Sequence, residues 1–400
     1  MEKITFVIPS RNNLEFLKLA YDSIRKLGIE SFDGMGYSQI NHEVLILDDA
    51  STDGTSEWIK NLNDPDLITY VNKGPERIGI VGMFDKGIEM ARTEIIFAFH
   101  ADMVAAPNLD VHILKHLKKG TVVSATRVEP PLHPDGPEKM LVDFGIEVED
   151  FDYDKFCNWT LKEYQPKHNK LVTEGIFAPW CMYKEDFLAI GGHDELFAPQ
   201  SKEDSDLFNR FVLNGYKVLQ TWEGLVYHFT SRGSRFNKHA GGAAGQNSQE
   251  WIYTTTKNMR NFIRKWGTPV RHDSLMKPII APKYDIGIIL KANPNMEMLR
   301  ILEPWCSTIY TDLDVLEYIT LEQSYTSIDL KEKVLPYDNE KQNQILVEVD
   351  IKMFNQQDFQ YLSQLPDIIK DSGAIGEFQI GNLKITIIAL DTFEQNLINN

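Results

Sequence analysis

"HEVLILDDASTDGTSEW" spans His42–Trp58. Val44–Leu47 are apolar without alternation, and two adjacent aspartates, Asp48 and Asp49, close the run. An unbroken apolar run bounded by turn residues fits a strand buried on both faces, as in a parallel sheet covered by helices. Asp53 or Thr55 then caps a helix opening at "TSEW". Capping does not explain two neighbouring carboxylates at the end of a buried strand. They repel, and they cost stability unless cationic or donating groups meet them. A carboxylate only accepts, so it suits an imide N–H or a ribose hydroxyl.

The flanking sequence repeats the alternation. "ITFVIPS" (4–10) is a strand, and "LEFLKLAYDSIRKLG" (14–28) has apolar residues at helical spacing with Gly28 as its C-cap. "LITYVN" (67–72), "VGMFDKGIEMAR" (81–92) and "EIIFAFHAD" (94–102) read as strand, helix, strand. Strands interleaved with helices predict an open α/β sheet, whose ligands lie beyond the carboxyl ends of the strands. "PSRNN", "DDASTDGT" and "HADM" all fall there.

Length and charge narrow the function. The 400 residues suffice for two or three domains, and the formal net charge of −17 argues against a general nucleic-acid binder. From Arg271 onward 11 Lys+Arg face 20 Asp+Glu, a net of −9, whereas the first 270 residues hold 30 and 38, a net of −8. The last third is about twice as acidic per residue, and the helix-and-strand pattern restarts there with "YDIGIILKA". This predicts two domains, 1–270 and an acidic α/β unit at 271–400, with a boundary near Thr268–Pro278. Three scattered cysteines fit a reducing cytoplasm. No apolar run reaches the roughly 20 residues of a membrane span, and the N-terminus enters a strand directly, without a signal peptide. Peripheral membrane contact stays open.

Four segments carry chemistry. Besides Asp49, there is Asp102 with His100 before it. A lone aspartate there is more often a turn residue than a ligand, and His100 equally reads as a satisfied core histidine. Mg2+ or Mn2+ held by few protein groups plus substrate phosphates would suit so ligand-poor a site. In "SKEDSDLFNRFVLNG" (201–215), Ser201 with Asp204 forms a workable capping box. That does not require Glu203, Asp204 and Asp206 together, and one of them at the positive end of a helix dipole would serve as a general base. In "YHFTSRGSRF" (227–236), His228 with Arg232 and Arg235 would make a metal ligand and a diphosphate clamp, although alone the stretch reads as a basic loop.

Taken together, roughly residues 1–235 resemble a family-2 glycosyltransferase with the GT-A nucleotide-sugar fold, and the 187–218 stretch, followed by His228, also resembles galactosyltransferase-type GT-A domains. The segments that match are "FVIPSRNNLEFLKLAYDSI", "EVLILDDASTDGT", "GIEMARTEIIFAFHADMVAAPNL" and "FLAIGGHDELF" with "SKEDSDLFNRFVLNGYKV". The resemblance implies a Rossmann-like, mostly parallel sheet and a nucleotide-sugar donor, with UDP favoured. Asp49, Pro9 and Arg11 would lie at the base. Asp102 would ligate a divalent metal through the last position of D-x-D, and His228 would complete that site. Asp204 would be the catalytic base with Glu203 positioning the acceptor, a hydroxyl of a glycan, glycolipid or protein. Arg232 or Arg235 would neutralise the leaving diphosphate. His100 stands where the family most often has the first aspartate of D-x-D. A neutral imidazole can bond a ribose hydroxyl or bind a metal, but it brings no negative charge.

Two rivals are kept. A nucleotidyltransferase would want a Gly-rich, basic first loop, and "IPSRNN" has one Arg and no Gly. A non-catalytic sugar-binding protein on a decayed transferase fold is favoured by His100 and opposed by Glu203, Asp204 and His228. The acidic C-terminal unit would recruit an acceptor, form a homo-oligomer or dock a partner.

Overall fold

The computed structural model describes residues 2–27 and 41–398. Its contacts part it into two compact units, Met1–Thr255 with His272–Pro278, and Thr256–Arg271 with Ile279–Asn399. The boundary expected at 270/271 falls inside this exchange of short segments. No helix among the described residues is long and apolar enough to cross a membrane.

The first unit is built on ten strands: β1 (Ile4–Ser10), β2 (Glu43–Asp49), β3 (Leu67–Asn72), β4 (Ile95–Ala98), β5 (Met103–Ala105), β6 (Thr121–Glu129), β7 (Lys139–Leu141), β8 (Val172–Thr173), β9 (Trp180–Tyr183) and β10 (Lys217–His228). Their order is β3-β2-β1-β4-β9-β6-β10-β5, with β7 beside β6 and β8 beside β10. Parallel pairing joins β1, β2, β3 and β4, and again β6 with β7 and β10, while β5, β8 and β9 pair antiparallel. The helices are α1 (Leu14–Lys26), α2 (Thr55–Asn61), α3 (Ile80–Met90), α4 (Leu109–Leu114), α5 (Tyr153–Lys162), α6 (Lys184–Ala189), α7 (Glu203–Leu213) and α8 (Gln249–Trp266), the last cut by the unit boundary. Gly28, expected to cap α1, lies outside the described residues.

Every residue of β2 and nearly every residue of β1 is buried, as continuous apolar strands require. One glycine sets how closely a helix lies on them. A Cβ on Gly87 of α3 would stand 2.4 Å from Val7 Cγ1 and 2.8 Å from Leu47 Cδ1. The chain passes from β1 outward to β2 and β3, then returns to place β4 on the other side of β1. That reversal opens a crevice beyond the carboxyl ends of β1 and β4, the usual ligand position in such sheets.

Two local expectations are corrected. β4 stops at Ala98, so His100 and Asp102 lie in the turn before β5 rather than in the strand. Phe99 N–H still reaches Val7 O at 3.0 Å, and the turn closes through Met103 N–H to His100 O at 3.2 Å. The Ser201 capping box does not form. Ser201 and Lys202 have φ of 78° and 76°, no side chain caps α7, and Ser201 Oγ meets Thr255 Oγ1 at 2.8 Å.

The second unit has a six-stranded sheet of β11 (Ile286–Lys291), β12 (Thr308–Thr311), β13 (Val334–Pro336), β14 (Ile345–Asp350), β15 (Gly376–Ile380) and β16 (Leu383–Ile387), ordered β13-β12-β11-β14-β16-β15. The first four are parallel, and β15 and β16 form a hairpin turning at Gly381-Asn382, where Gly381 has φ of 56°. Its core holds a buried ion cluster. Arg264 Nη2 lies 2.7 Å from Glu303 and 2.8 Å from Glu322.

Candidate functional site

The loops after β1 and β2 interlock. Asn12 N–H donates to Ser51 Oγ at 2.9 Å, Thr52 N–H donates to Asn12 Oδ1 at 2.7 Å, and Leu14 N–H donates to Asp53 Oδ2 at 2.9 Å. Asp53 thus satisfies an open N–H at the start of α1, and its other oxygen takes the Thr55 N–H and hydroxyl at the start of α2. The paired aspartates find their donors. Asp48 takes Ser51 N–H at 3.1 Å and Ser56 Oγ at 2.5 Å. Asp49 Oδ1 takes Asn72 Nδ2 and Ile78 N–H, and its Oδ2 takes Gly79 N–H, all at 2.8 Å. Each carboxylate oxygen accepts about two bonds, so one position on Asp49 Oδ2 is left.

A cavity of about 440 Å3 lies in the crevice, lined by Pro9, Arg11, Asp49, His100, Asp102, Glu203, Asp204, His228 and Arg235 among others. Nine of the ten residues singled out in the sequence therefore meet in one place. The tenth, Arg232, does not line it. Its guanidinium bonds Phe229 O at 3.2 Å, pairs with Glu147 at 3.2 Å and lies over the Phe16 ring. Only its backbone reaches the site, where Arg232 N–H donates to Asp102 Oδ2 at 2.6 Å. Just before β9, Phe177 and Ala178 line the cavity, while the Trp180 ring lies in the core.

Asp102 and His228 face each other, with Asp102 Oδ2 at 3.6 Å from His228 Nε2. His228, through its charge and hydrogen bonding, and the Arg232 N–H hold Asp102 far below the ordinary carboxylate range despite its burial. His228 is itself raised, because Asp102 and Glu129 outweigh its burial. His100 packs on Phe84 at 5.7 Å between ring centroids, and burial lowers its pKa, keeping the imidazole neutral.

The three acids opening α7 divide. Asp206 is spent on Arg210, 2.8 Å away, which also donates to Ile190 O at 3.0 Å and Gly192 O at 2.6 Å. That clamp ties the Gly191-Gly192 turn to α7. Glu203 and Asp204 line the cavity instead. Glu203 Oε2 is buried without a hydrogen-bond partner among the described residues, and burial and the Asp204 charge push its pKa up. Both Ser201 and Lys202 before them hold left-handed φ, which costs about 1 kcal/mol each for such residues. Backbone strain of that kind tends to gather at functional sites.

Further residues had not been singled out. Arg127 and Glu129 at the end of β6, with Glu138, Lys139 and His133, line the same cavity. The available signal was "TRVE": two opposite charges two apart share one face of a strand otherwise made of apolar and small residues. Arg235 bonds neutral groups, Asn247 Oδ1 at 3.0 Å and His133 Nε2 at 3.3 Å, and lies 4.3 Å from the centre of the Trp251 ring. Burial, and then Arg235, push His133 down to about 4. Arg77 pairs with Glu250 at 2.5 Å.

Among the described residues no three His, Cys, Asp or Glu converge as a complete metal cage. Asp102 Oδ2 and His228 Nε2 lie 3.6 Å apart as a two-donor set, although each also accepts a backbone N–H, from Arg232 at 2.6 Å and from Ser231 at 3.3 Å. This fits a divalent cation that draws its other ligands from phosphate oxygens and water.

The first unit is thus a mixed, mostly parallel α/β sheet with a cavity at its switch point, lined by both carboxylates and basic groups. Residues 5–173 match the model of glycosyl transferase family 2. Solved structures with partial similarity include GalNAc-T7 with UDP, GalNAc and Mn2+, at 12% identity and TM-score 0.43, covering 67% of this chain and 51% of that one. The mannosyltransferase PcManGT from Pyrobaculum calidifontis, in complex with GDP-Man and Mn2+, is 19% identical with TM-score 0.39, covering 57% and 56%. S. aureus TarS 1-349 is 14% identical with TM-score 0.40, covering 57% and 61%. The chain thus spans about half to three fifths of the length of these structures.

Proposed function

We propose that the first unit transfers a glycosyl group from a nucleoside-diphosphate sugar, with UDP the favoured nucleotide, to a hydroxyl of a glycan, glycolipid or protein acceptor. The observation that carries this reading is the meeting of Glu203 and Asp204 with Asp102 and His228 in one cavity, inside and next to the segment that matches the family-2 model. Pro9 and the open acceptor position on Asp49 would receive the base, and neutral His100 a ribose hydroxyl. Arg11 would lie beside the base, and Arg235 would bind the diphosphate, a role in which the Arg232 side chain takes no part. Asp102 and His228 would hold Mn2+ or Mg2+, which supplies charge neutralisation at the departing diphosphate.

In the proposed step Asp204 takes the acceptor hydroxyl proton as that oxygen attacks the anomeric carbon. The bond to the diphosphate oxygen breaks on the opposite face, and the nucleoside diphosphate leaves with the electron pair, so the centre inverts. Glu203, whose raised pKa favours the protonated form, donates a hydrogen bond that orients the acceptor. Three free, buried cysteines support a cytoplasmic setting.

The test is Asp204→Asn assayed with a panel of nucleotide sugars and Mn2+. Transfer is expected to be lost while donor binding persists. Near-normal turnover would overturn the base assignment. Release of no nucleotide by the wild type, under any metal, would favour the non-catalytic binding protein.

A further inference from the structure

Glu129 takes part in none of these steps. β6 and β10 are parallel with Val128 opposite Tyr227, so Glu129 and His228 emerge side by side at the strand ends. Glu129 Oε1 lies 2.7 Å from His228 Nδ1 and 3.0 Å from Arg127 Nη1, and its Oε2 takes Lys139 Nζ at 2.9 Å. β7 delivers Lys139, which sits opposite Arg127 in the parallel pair. Arg127 also donates to Glu138 at 2.7 Å. Arg127, Glu129, Glu138 and Lys139 are all buried.

Guanidinium and ammonium groups have donors only. Both Glu129 oxygens therefore accept, and the histidine atom against Oε1 must be an N–H. This fixes a proton on Nδ1 and leaves Nε2 an acceptor, which takes Ser231 N–H at 3.3 Å and lies 3.6 Å from Asp102 Oδ2. With a cation between His228 and Asp102, Nε2 must give its lone pair to the cation in place of Ser231 N–H, and the Nδ1–H form is the one that can.

We propose that Glu129 is the positioning residue of the metal site. It holds the His228 ring in place and in the form whose Nε2 ligates a divalent cation, and Arg127 and Lys139 hold Glu129. The inference rests on Asp102 and His228 being the ligands. Partners of this kind typically change metal affinity by about 10–100-fold.

The experiment titrates Mn2+ into the full chain, with and without UDP, and reads free Mn2+ by electron paramagnetic resonance. Glu129→Gln is expected to weaken Mn2+ binding about 10–100-fold. Glu129→Asp keeps the charge for Arg127 and Lys139 but withdraws the oxygen from Nδ1, so it should weaken binding with the fold intact by circular dichroism. It decides the matter if the Gln variant does not fold. Lys139→Met removes one of the two cations that hold Glu129 but leaves the Glu129–His228 bond, so it should weaken binding less than either Glu129 variant. Wild-type affinity in both Glu129 variants, or a loss in Lys139→Met as large as in Glu129→Gln, would overturn the positioning role and leave the ligand assignment standing. Absence of Mn2+ binding in the wild type would instead overturn the ligand assignment itself, and this inference with it.

Discussion

Asp102 Oδ2 accepts the backbone N–H of Arg232 at 2.6 Å, while the Arg232 guanidinium turns away to Glu147. The arginine holds the loop after β10 against the turn after β4 without lending its charge to the cavity. Arg232→Met removes the donors to Phe229 O and Glu147, while the partly exposed Glu147 keeps Lys238, so stability should fall by about 1–3 kcal/mol. Nucleotide affinity per folded molecule should be unchanged. Arg235→Met should do the reverse, weakening UDP binding with little loss of stability. Denaturant unfolding and UDP calorimetry on both variants check this.

Glu203 makes stability depend on pH. Its ordinary value is 4.5, and burial and Asp204 raise it to about 8 in the folded chain. Between those values the folded state keeps a proton that the unfolded state releases, so stability falls as pH rises through that window. Glu203→Gln removes this slope. The variant should equal wild type near pH 5 and exceed it above pH 8, which urea midpoints at the two pH values would show.

Arg210 is fully buried and joins Asp206 to the carbonyls of Ile190 and Gly192. Arg210→Leu leaves the Asp206 charge and two carbonyls without that donor. A loss of about 3–5 kcal/mol is expected. Asp206→Asn, which keeps an acceptor for Arg210, should lose less. Thermal unfolding of the pair ranks them.

Asp53→Ala removes the acceptor that serves Leu14 N–H and the start of α2. About 1–2 kcal/mol of stability should go with it, as for a lost helix cap. Amide exchange should rise first at the opening turn of α1.

The strands of the first unit were readable because parallel strands buried on both faces are written as unbroken apolar runs. Their carboxyl ends then marked where polar residues needed a reason. Asp49, Asp102 and His228, marked in that way, line the cavity together. The Arg232 side chain lies elsewhere because the direction of a side chain in a turn is set by what it meets, and Arg232 meets Glu147, 85 positions earlier in the chain. Glu129 and Lys139 stayed hidden for a related reason. Their roles depend on which strands pair and in what register, and no local pattern carries that. Ser201 misled because a good capping sequence was overruled by a left-handed backbone held by tertiary contacts.

The bonds between Asn12, Ser51, Thr52, Asp53 and Leu14 have an evolutionary corollary. Neither the loop after β1 nor the loop after β2 can vary alone, since each supplies the partners that shape the other. Homologous chains should exchange the residues at 12 and 51–53 as a set, and a graft that alters donor preference must carry both segments together.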